Sequence, residues 1–238
     1  MYEKNLAEIY DLIYRGRGKQ YRTESEKVAE LVRHRNSGAD SILDVACGTG
    51  GHLAHFADLF SVAEGVEVSA DMIAAARRAS PGLVVRQGDM RDFRLEGSPR
   101  YAAVVCMFSS IGYMASEGEL GDAVESMAAH LEPGGVLVVE PWVFPEDFEP
   151  GYVAGDVVRE GGWTIARVSH SPRVGDRVPM EVHYTVANSG GIAHFTDRHH
   201  LTLFTRKAYE AAFERAGCSV EYVREEGFPL GLLVGRRS

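Results

Sequence analysis

The run Ile42-Leu43-Asp44-Val45-Ala46-Cys47-Gly48-Thr49-Gly50-Gly51-His52 constrains what this chain can fold into more than any other stretch. Apolar residues around a single acid read as a buried parallel strand, and the glycines behind them let the backbone turn tightly and bring its amides close to a ligand. Strand, glycine turn and helix in that order make a nucleotide site. The dinucleotide fingerprint G-x-G-x-x-G requires a glycine where Leu53 stands, so NAD is not the expected ligand. Asp44, just ahead of the turn, suits a ligand with a cationic amino group instead, and S-adenosylmethionine has one.

The chain around this turn has 238 residues, enough for one large domain or a domain with a sizeable insertion. Its formal net charge of -9 argues against a nucleic-acid backbone as partner, because phosphate binding draws on clustered Lys and Arg. Cys47, Cys106 and Cys218 have no paired spacing and lie beside apolar stretches, which reads as buried thiols of a reducing cytoplasm. No apolar run approaches the roughly 20 residues of a membrane span, and Met1-Tyr2-Glu3-Lys4 does not open a signal peptide. A cytoplasmic protein that binds neither membrane nor nucleic acid is expected.

Leu6, Ile9, Tyr10 and Ile13 recur at helical spacing and predict a first helix that breaks at Arg15-Gly16-Arg17-Gly18-Lys19. A second helix, with Val28, Ala29, Leu31 and Val32 inward, ends at Asn36-Ser37-Gly38. Beyond the glycine turn come a helix over 52–60, a strand over 62–68, a helix over 71–79 with Ser69 as N-cap, and strands over 83–86 and 102–108. A helix over 117–130, a turn at 131–135 and a strand over 136–140 complete an α/β alternation. It predicts a doubly wound, Rossmann-like sheet with its ligand at the carboxyl ends of the strands. Between 141 and 205 the rhythm changes to β patterns over 164–171, 180–187 and 194–204, an inserted antiparallel β cap. A helix over 206–216 and a hairpin of strands over 219–224 and 230–235 return to the main sheet, making it seven-stranded. The expected organisation is a core of 1–140 and 206–238 with 141–205 as a substrate lid.

In such a sheet an acid at the end of the second strand, about 20 residues beyond the glycine turn, hydrogen-bonds the hydroxyls of a ribose, and Glu67 occupies that place. Asp89, after the third strand, is placed to accept from an adenine amine, with the amide of Met90 toward the ring. These residues resemble the class I S-adenosylmethionine-dependent methyltransferases. The resemblance extends through Tyr10-Asp11, Gly16-Arg17-Gly18-Lys19, Gly88-Asp89-Met90-Arg91-Asp92-Phe93, Cys106-Met107-Phe108-Ser109-Ser110-Ile111-Gly112, Glu140-Pro141-Trp142, Phe144-Pro145-Glu146, Gly151-Tyr152-Val153-Ala154 and Arg167-Val168-Ser169-His170-Ser171. Over nearly the whole chain it looks like the TDP-amino-sugar N,N-dimethyltransferases of desosamine and mycaminose biosynthesis. That resemblance implies successive transfer of two methyl groups to the amine of a TDP-linked deoxy amino sugar in antibiotic biosynthesis, leaving S-adenosylhomocysteine. It leaves room for a homo-oligomer.

Methyl transfer to an amine is an in-line displacement in which alignment supplies much of the rate. The amine must first lose its proton, to a nearby base or to solvent. Tyr2 and Tyr113 are the candidates for holding it: the resemblance puts Tyr2 on an N-terminal tyrosine that reaches the family's active site, and Tyr113 where the macrolide enzymes carry histidine. A phenol, with a pKa of about 10, is a poor base at neutral pH, so Tyr113 is given an orienting role. Arg17 is the candidate for the cofactor carboxylate, with Tyr21 as hydroxyl partner and Arg15 as the alternative. Tyr14, Ala46, Gly48, Val68 and Met107 complete the cofactor set. For the diphosphate, Arg159, Arg167 and Arg173 offer guanidinium forks, with His170 nearby. Trp142 and Phe148 are candidates for stacking on thymine or walling the sugar. His199-His200 bring metal to mind, but neighbours on a strand face opposite ways and no further ligand completes a site, so no metal is expected. Two departures from the family pattern bear on the substrate: Val143 replaces a second tryptophan, and Gly227-Phe228-Pro229-Leu230-Gly231 replaces a Ser-Gly-Arg-Gly turn. Methylation of another small amine or hydroxyl of a secondary metabolite, and a non-catalytic scaffold that binds S-adenosylmethionine, are the competing readings.

Overall fold

The structure is a computed structural model that describes the backbone of residues 4–238 and the side chains of residue 7 and residues 9–238. Tyr2 lies outside the described residues. Two helices, α1 (Lys4–Gly16) and α2 (Tyr21–Arg35), precede β1 (Ser41–Val45). Then α3 (Gly51–Leu59), β2 (Val62–Glu67), α4 (Ala70–Ala79), β3 (Val84–Gln87), β4 (Tyr101–Cys106), α5 (Glu117–Ala128) and β5 (Leu131–Val139) follow in alternation. Four strands, β6 (Tyr152–Glu160), β7 (Trp163–Ser171), β8 (Arg177–Asn188) and β9 (Gly191–Thr202), form a separate antiparallel sheet. The chain ends with α6 (Arg206–Arg215), β10 (Glu221–Glu225) and β11 (Phe228–Arg236).

The main sheet has seven strands in the order β10-β11-β5-β4-β1-β2-β3. β1 pairs in parallel with both β2 and β4, while β11 runs antiparallel to its neighbours β5 and β10. The strand order therefore reverses between β1 and β4, the crevice where doubly wound sheets bind ligands. Both faces of the central strands are buried, and consecutive residues serve opposite layers. Leu43, Val45, Val104, Cys106, Leu137 and Val139 pack with α5 and α6, while Ile42, Ala103, Val105, Val136 and Val138 pack with α2 and α3. A continuous apolar run is what such a strand requires, which is why the motif strand could be read from sequence.

Two elements depart from the sequence expectation. The segment 131–135, read as a turn, is paired: Leu131 lies opposite Tyr101 and Val136 opposite Ala103, so the intervening residues bulge out of β5, with Gly134 at φ +76°. The strand β6 was not anticipated at all. Its alternation is blurred, with Val153 and Val157 exposed while Asp156 faces inward beside Ala154 and Val158, and β7 continues the pattern with Val168 exposed and Arg167, Ser169 and Ser171 buried. A period-two pattern with valines on the outer face and polar residues among the inner ones does not register as a half-buried strand. The four-stranded sheet rests on α1 and α4 through Ile9, Tyr10, Ile13, Met72, Ala75, Ile165, Val182 and Tyr184.

Among the described residues no helix is long and apolar enough to cross a membrane, and Cys47, Cys106 and Cys218 are free and buried. Leu43→Ala, in the fully buried centre of β1, is expected to lower the unfolding free energy by about 2–5 kcal/mol. Ile192→Ala, at a side chain 78% exposed, is expected to change it by less than about 0.5 kcal/mol. Urea unfolding of the two variants beside the unaltered chain checks both.

Candidate active site at the carboxyl ends of the strands

Behind β1 the backbone enters the left-handed region at Ala46 (φ +60°), Gly48 (φ +57°) and Gly50 (φ +79°). At Gly48 a Cβ would meet nothing within 4 Å and at Gly50 only the mobile end of the Leu83 side chain comes close, at 2.8 Å, so conformation rather than space is what calls for glycine here. The turn is held from two sides. Thr49 Oγ1 donates to Asp11 Oδ1 of α1 at 2.6 Å. Glu67 Oε2 accepts from the Gly48 amide at 3.0 Å and Oε1 from the Ser69 amide at 2.8 Å.

Three acids stand at successive strand ends. Asp44 is 1% exposed and its Oδ2 has no hydrogen-bond partner; burial, and then the charge of Glu67, push its carboxyl well above the usual range. Burial also raises Glu67, against the opposing pull of the Ser69 and Gly48 amides. Asp89 differs: Arg91 grips it at 3.0 Å (Nε to Oδ1) and 2.6 Å (Nη2 to Oδ2) and holds its carboxyl below the usual range. Glu67, Val68, Asp89 and Met90 line a cavity of about 410 Å³ in which Gly48 and Ala46 form part of the wall. A small pocket beside it is lined by Tyr21, Asp44, Thr49 and Met107. The Tyr21 hydroxyl is buried there without a hydrogen-bond partner.

A second cavity, of about 440 Å³, lies between α1, the loops after β4 and β5, and the four-stranded sheet. Tyr14, Arg17, Lys19, Phe108, Glu140 and Trp142 line it, and Tyr113 and His199 belong to the walls of both large cavities. The backbone at Phe108 (φ +56°) and Ser109 (φ +59°) is also left-handed. It is held there by Glu140 Oε2, which accepts from the Phe108 amide at 2.7 Å, and by Ser109 Oγ, which donates to the Pro141 carbonyl at 2.9 Å. A third cavity, of about 320 Å³, shares Arg17, Trp142 and Met180 with the second. There the Trp142 and Phe148 rings are tilted together at 5.8 Å. Arg167 is 6% exposed, donates to Ser169 Oγ at 3.0 Å and leaves its Nε without a partner.

The sequence-predicted residues divide accordingly. Ala46, Gly48, Glu67, Val68, Asp89 and Met90 gather in the first cavity, Tyr21 and Met107 in the small pocket, and Tyr14, Arg17, Tyr113, Trp142, Phe148 and Arg167 in the second and third. Arg159 and His170 do not join them. They occupy the outward positions of β6 and β7 and are exposed, because residues alternate faces along a strand and Arg167 and Ser169 take the inward ones. Arg173 is also exposed and serves a structural purpose, its Nη1 donating to the Pro145 carbonyl at 3.0 Å. Arg17, read as a partner for a ligand carboxylate, stands 2.9 Å from Asp156 Oδ2 at an angle that makes an ion pair rather than a hydrogen bond. Arg15 pairs with Glu160 at 3.2 Å.

Sequence reasoning missed Lys19, which pairs with the buried Glu24 at 2.7 Å and lies 4.0 Å over the Phe108 ring. It also gave no role to Glu140, although the residue opens a motif that was noticed. His199 was weighed only as a metal ligand, whereas its Nδ1 is 2.7 Å from the Tyr113 hydroxyl.

The chain is similar to proteins of known function. Residues 42–135 match the model of a methyltransferase domain. The chain is 55% identical over 236 residues to the dTDP-3-amino-3,4,6-trideoxy-alpha-D-glucopyranose N,N-dimethyltransferase of Streptomyces venezuelae, covering 99% of each protein. It superposes on the crystal structure of DesVI from the same organism with a TM-score of 0.94 at 54% identity, covering all of both chains. With the S-adenosylmethionine-bound amino pentose methyltransferase of calicheamicin biosynthesis from Micromonospora echinaspora the TM-score is 0.87, at 45% identity and 97% coverage of each.

A buried carboxylate with an unpartnered oxygen burdens the fold, and Asp44 yields a pH-dependent test. Its folded-state pKa lies above the unfolded value of 3.8, so the burden is absent below that pH and fully present above the raised pKa. Asp44→Asn is expected to raise the unfolding free energy at neutral pH by about 1–3 kcal/mol, with the gain fading as the medium is acidified. The same variant is expected to bind S-adenosylhomocysteine more weakly. Denaturant melts across pH, together with titration calorimetry, measure the two effects.

Proposed function

The chain belongs to the dTDP-amino-sugar N,N-dimethyltransferase family, and on that premise we propose that it methylates the amine of a TDP-linked deoxy amino sugar in antibiotic biosynthesis. The observation that carries the proposal is the pair of adjoining cavities with a shared wall at Tyr113. One carries the acids that suit a nucleoside, and the other adjoins, through Arg17, Trp142 and Met180, the third cavity with its buried, incompletely partnered Arg167.

The residues present fit S-adenosylmethionine. Glu67 keeps further acceptor lone pairs for ribose hydroxyls, and Asp89 with the Met90 amide faces the adenine position beside the exposed side chain of Val68. The unpartnered Asp44 oxygen suits the ammonium, and the unpartnered Tyr21 hydroxyl suits the carboxylate, with Arg17 and Lys19 as nearby cations. The bound cofactor supplies a methyl group on a sulfonium, which an amine can displace in line. Everything else is alignment by the chain: the glycine turn fixes the donor side, Trp142 and Phe148 form the aromatic wall for the thymine or sugar, and Arg167 holds the diphosphate. The four-stranded sheet serves as the lid that keeps water from the reacting pair. No metal enters this chemistry in our reading, and a cytoplasmic location fits its soluble substrates.

Purified chain with S-adenosylmethionine is expected to release S-adenosylhomocysteine with at least one member of a panel of TDP-3-amino and TDP-4-amino sugars; no release with any of them sinks the proposal. Turnover on free aglycones alone would favour methylation of another small amine or hydroxyl. Tight cofactor binding without turnover would favour a scaffold. Arg167→Lys retains charge but loses the planar fork. It is expected to raise the KM for the nucleotide sugar roughly 10- to 100-fold, as loss of a charged hydrogen bond does, with a smaller change in kcat. Steady-state kinetics separates the two parameters.

A further inference from the structure

We propose that His199, backed by Asp197, is a positioning residue that turns Tyr113 into the entrance of a proton path leading away from the substrate amine. The inference rests on the functional reading above and adds a route for the proton that methylation requires the amine to lose.

Three groups form the path. The Tyr113 hydroxyl lies 2.7 Å from His199 Nδ1, and His199 Nε2 lies 3.3 Å from Asp197 Oδ2. Asp197 Oδ1 accepts from the Arg198 amide at 2.9 Å, while Oδ2 has no hydrogen bond of its own. His199 and Asp197 are 8% and 9% exposed. Because Tyr113 and His199 line both large cavities, the phenol stands where donor and acceptor must meet.

The polarity of the path follows from the donor inventory. A carboxylate only accepts, so the carboxylate beside Nε2 favours the tautomer with hydrogen on that nitrogen, leaving Nδ1 as the acceptor. The phenol then donates to Nδ1 and turns oxygen lone pairs to the cavity. An ammonium N–H bond breaks as an O–H bond forms at Tyr113, while the original phenol O–H breaks as an N–H forms at His199 Nδ1. The electron pair of the broken N–H bond stays on the amine, now neutral and nucleophilic. An imidazolium remains beside Asp197, and its added proton returns to solvent between turnovers. Each transfer leaves the nitrogen as an ammonium, so a second methylation needs the path again.

The surroundings keep the imidazole ready to accept. Burial holds His199 below its ordinary pKa, Arg167 from β7 and His200 from β9 push the same way, and Asp197 opposes them. Tyr14 from α1, held protonated by burial, adds no charge. A phenol alone is a poor base, and this geometry explains how one can serve at the position: it passes a proton on instead of keeping it.

The test uses the full chain with S-adenosylmethionine and whichever TDP-amino sugar it turns over, with kcat and KM measured from about pH 6 to 9. His199→Asn keeps an acceptor near the Nδ1 position but cannot carry a proton, and Tyr113→Phe removes the first link with little change in shape. In the unaltered chain kcat is expected to be nearly flat above neutrality. In both variants kcat at pH 7 is expected to fall about 100-fold or more with KM within about twofold. Below the pKa of the free amine it should then climb about tenfold per pH unit, since a single proton must be lost to solvent. Unchanged kcat, or a loss of equal size at every pH, overturns the proposal, because a purely structural role does not change the slope. Calorimetric binding of S-adenosylhomocysteine by each variant verifies that it folds, and if His199→Asn fails there, Tyr113→Phe carries the comparison. Absence of turnover by the unaltered chain on every amino sugar overturns the functional reading itself, which keeps the two failures distinct.

Discussion

The hydrogen bonds made by Glu67 hold the site together. One carboxylate ties the amide of Gly48, in the turn after β1, to the amide of Ser69, at the start of α4. Those two loops belong to adjacent strands, and both form part of the wall of the cavity of about 410 Å³. A carboxylate buried to this extent is unfavourable in isolation, and the two amides offset part of the desolvation. In the function proposed above, the remaining acceptor capacity serves the ribose. The same contacts therefore stabilise the turn and define what fits against it.

The second half of the site is built on the opposite principle. The four-stranded sheet turns Arg167, Ser169 and Ser171 toward the third cavity and leaves Val153, Val157 and Val168 in water. Its attachment to the core does not come from that polar face. It comes from the apolar contact of Ile165, Val182 and Tyr184 with α1 and α4. The ion pairs Arg15–Glu160 and Arg17–Asp156 sit at partly exposed positions, where such pairs contribute little. In this arrangement α1 joins the two sheets: it pins the glycine turn through Asp11 and packs against the four-stranded sheet with its apolar side.

How much of this the sequence disclosed depended on whether burial and chemistry pointed the same way. In the motif strand and its neighbours they agreed, since every residue faces one apolar layer or the other, so the strands, the glycine turn and Glu67 were legible. In β6 they conflicted: inward polar residues and outward valines erased the alternation, and with it the strand and the correct facing of Arg159 and His170. Arg173 shows a related ambiguity, because in sequence a guanidinium in a β insertion looks the same whether it meets a ligand or, as its Nη1 does here, a loop carbonyl. His199 could be found only in three dimensions. Its partner Tyr113 is 86 residues away in sequence, and no local pattern joins a turn after the fourth strand to the ninth.

The left-handed backbone at Ala46, Phe108 and Ser109 bears on the energetics of the whole chain. None of the three is glycine, and such conformations cost of the order of 1–3 kcal/mol each when the surroundings impose them. All three lie just beyond the ends of β1 and β4, on either side of the crevice. The scaffold thus stores strain beside the two large cavities, and the doubly buried strands bear it; the fourth such residue among those described, Ser98 (φ +49°), lies in the turn ahead of β4. A loop free to relax would lie lower in energy and lose its shape. Here the site is held in readiness, and the stability surrendered there is the measure of how little the protein has to rearrange when its ligands arrive.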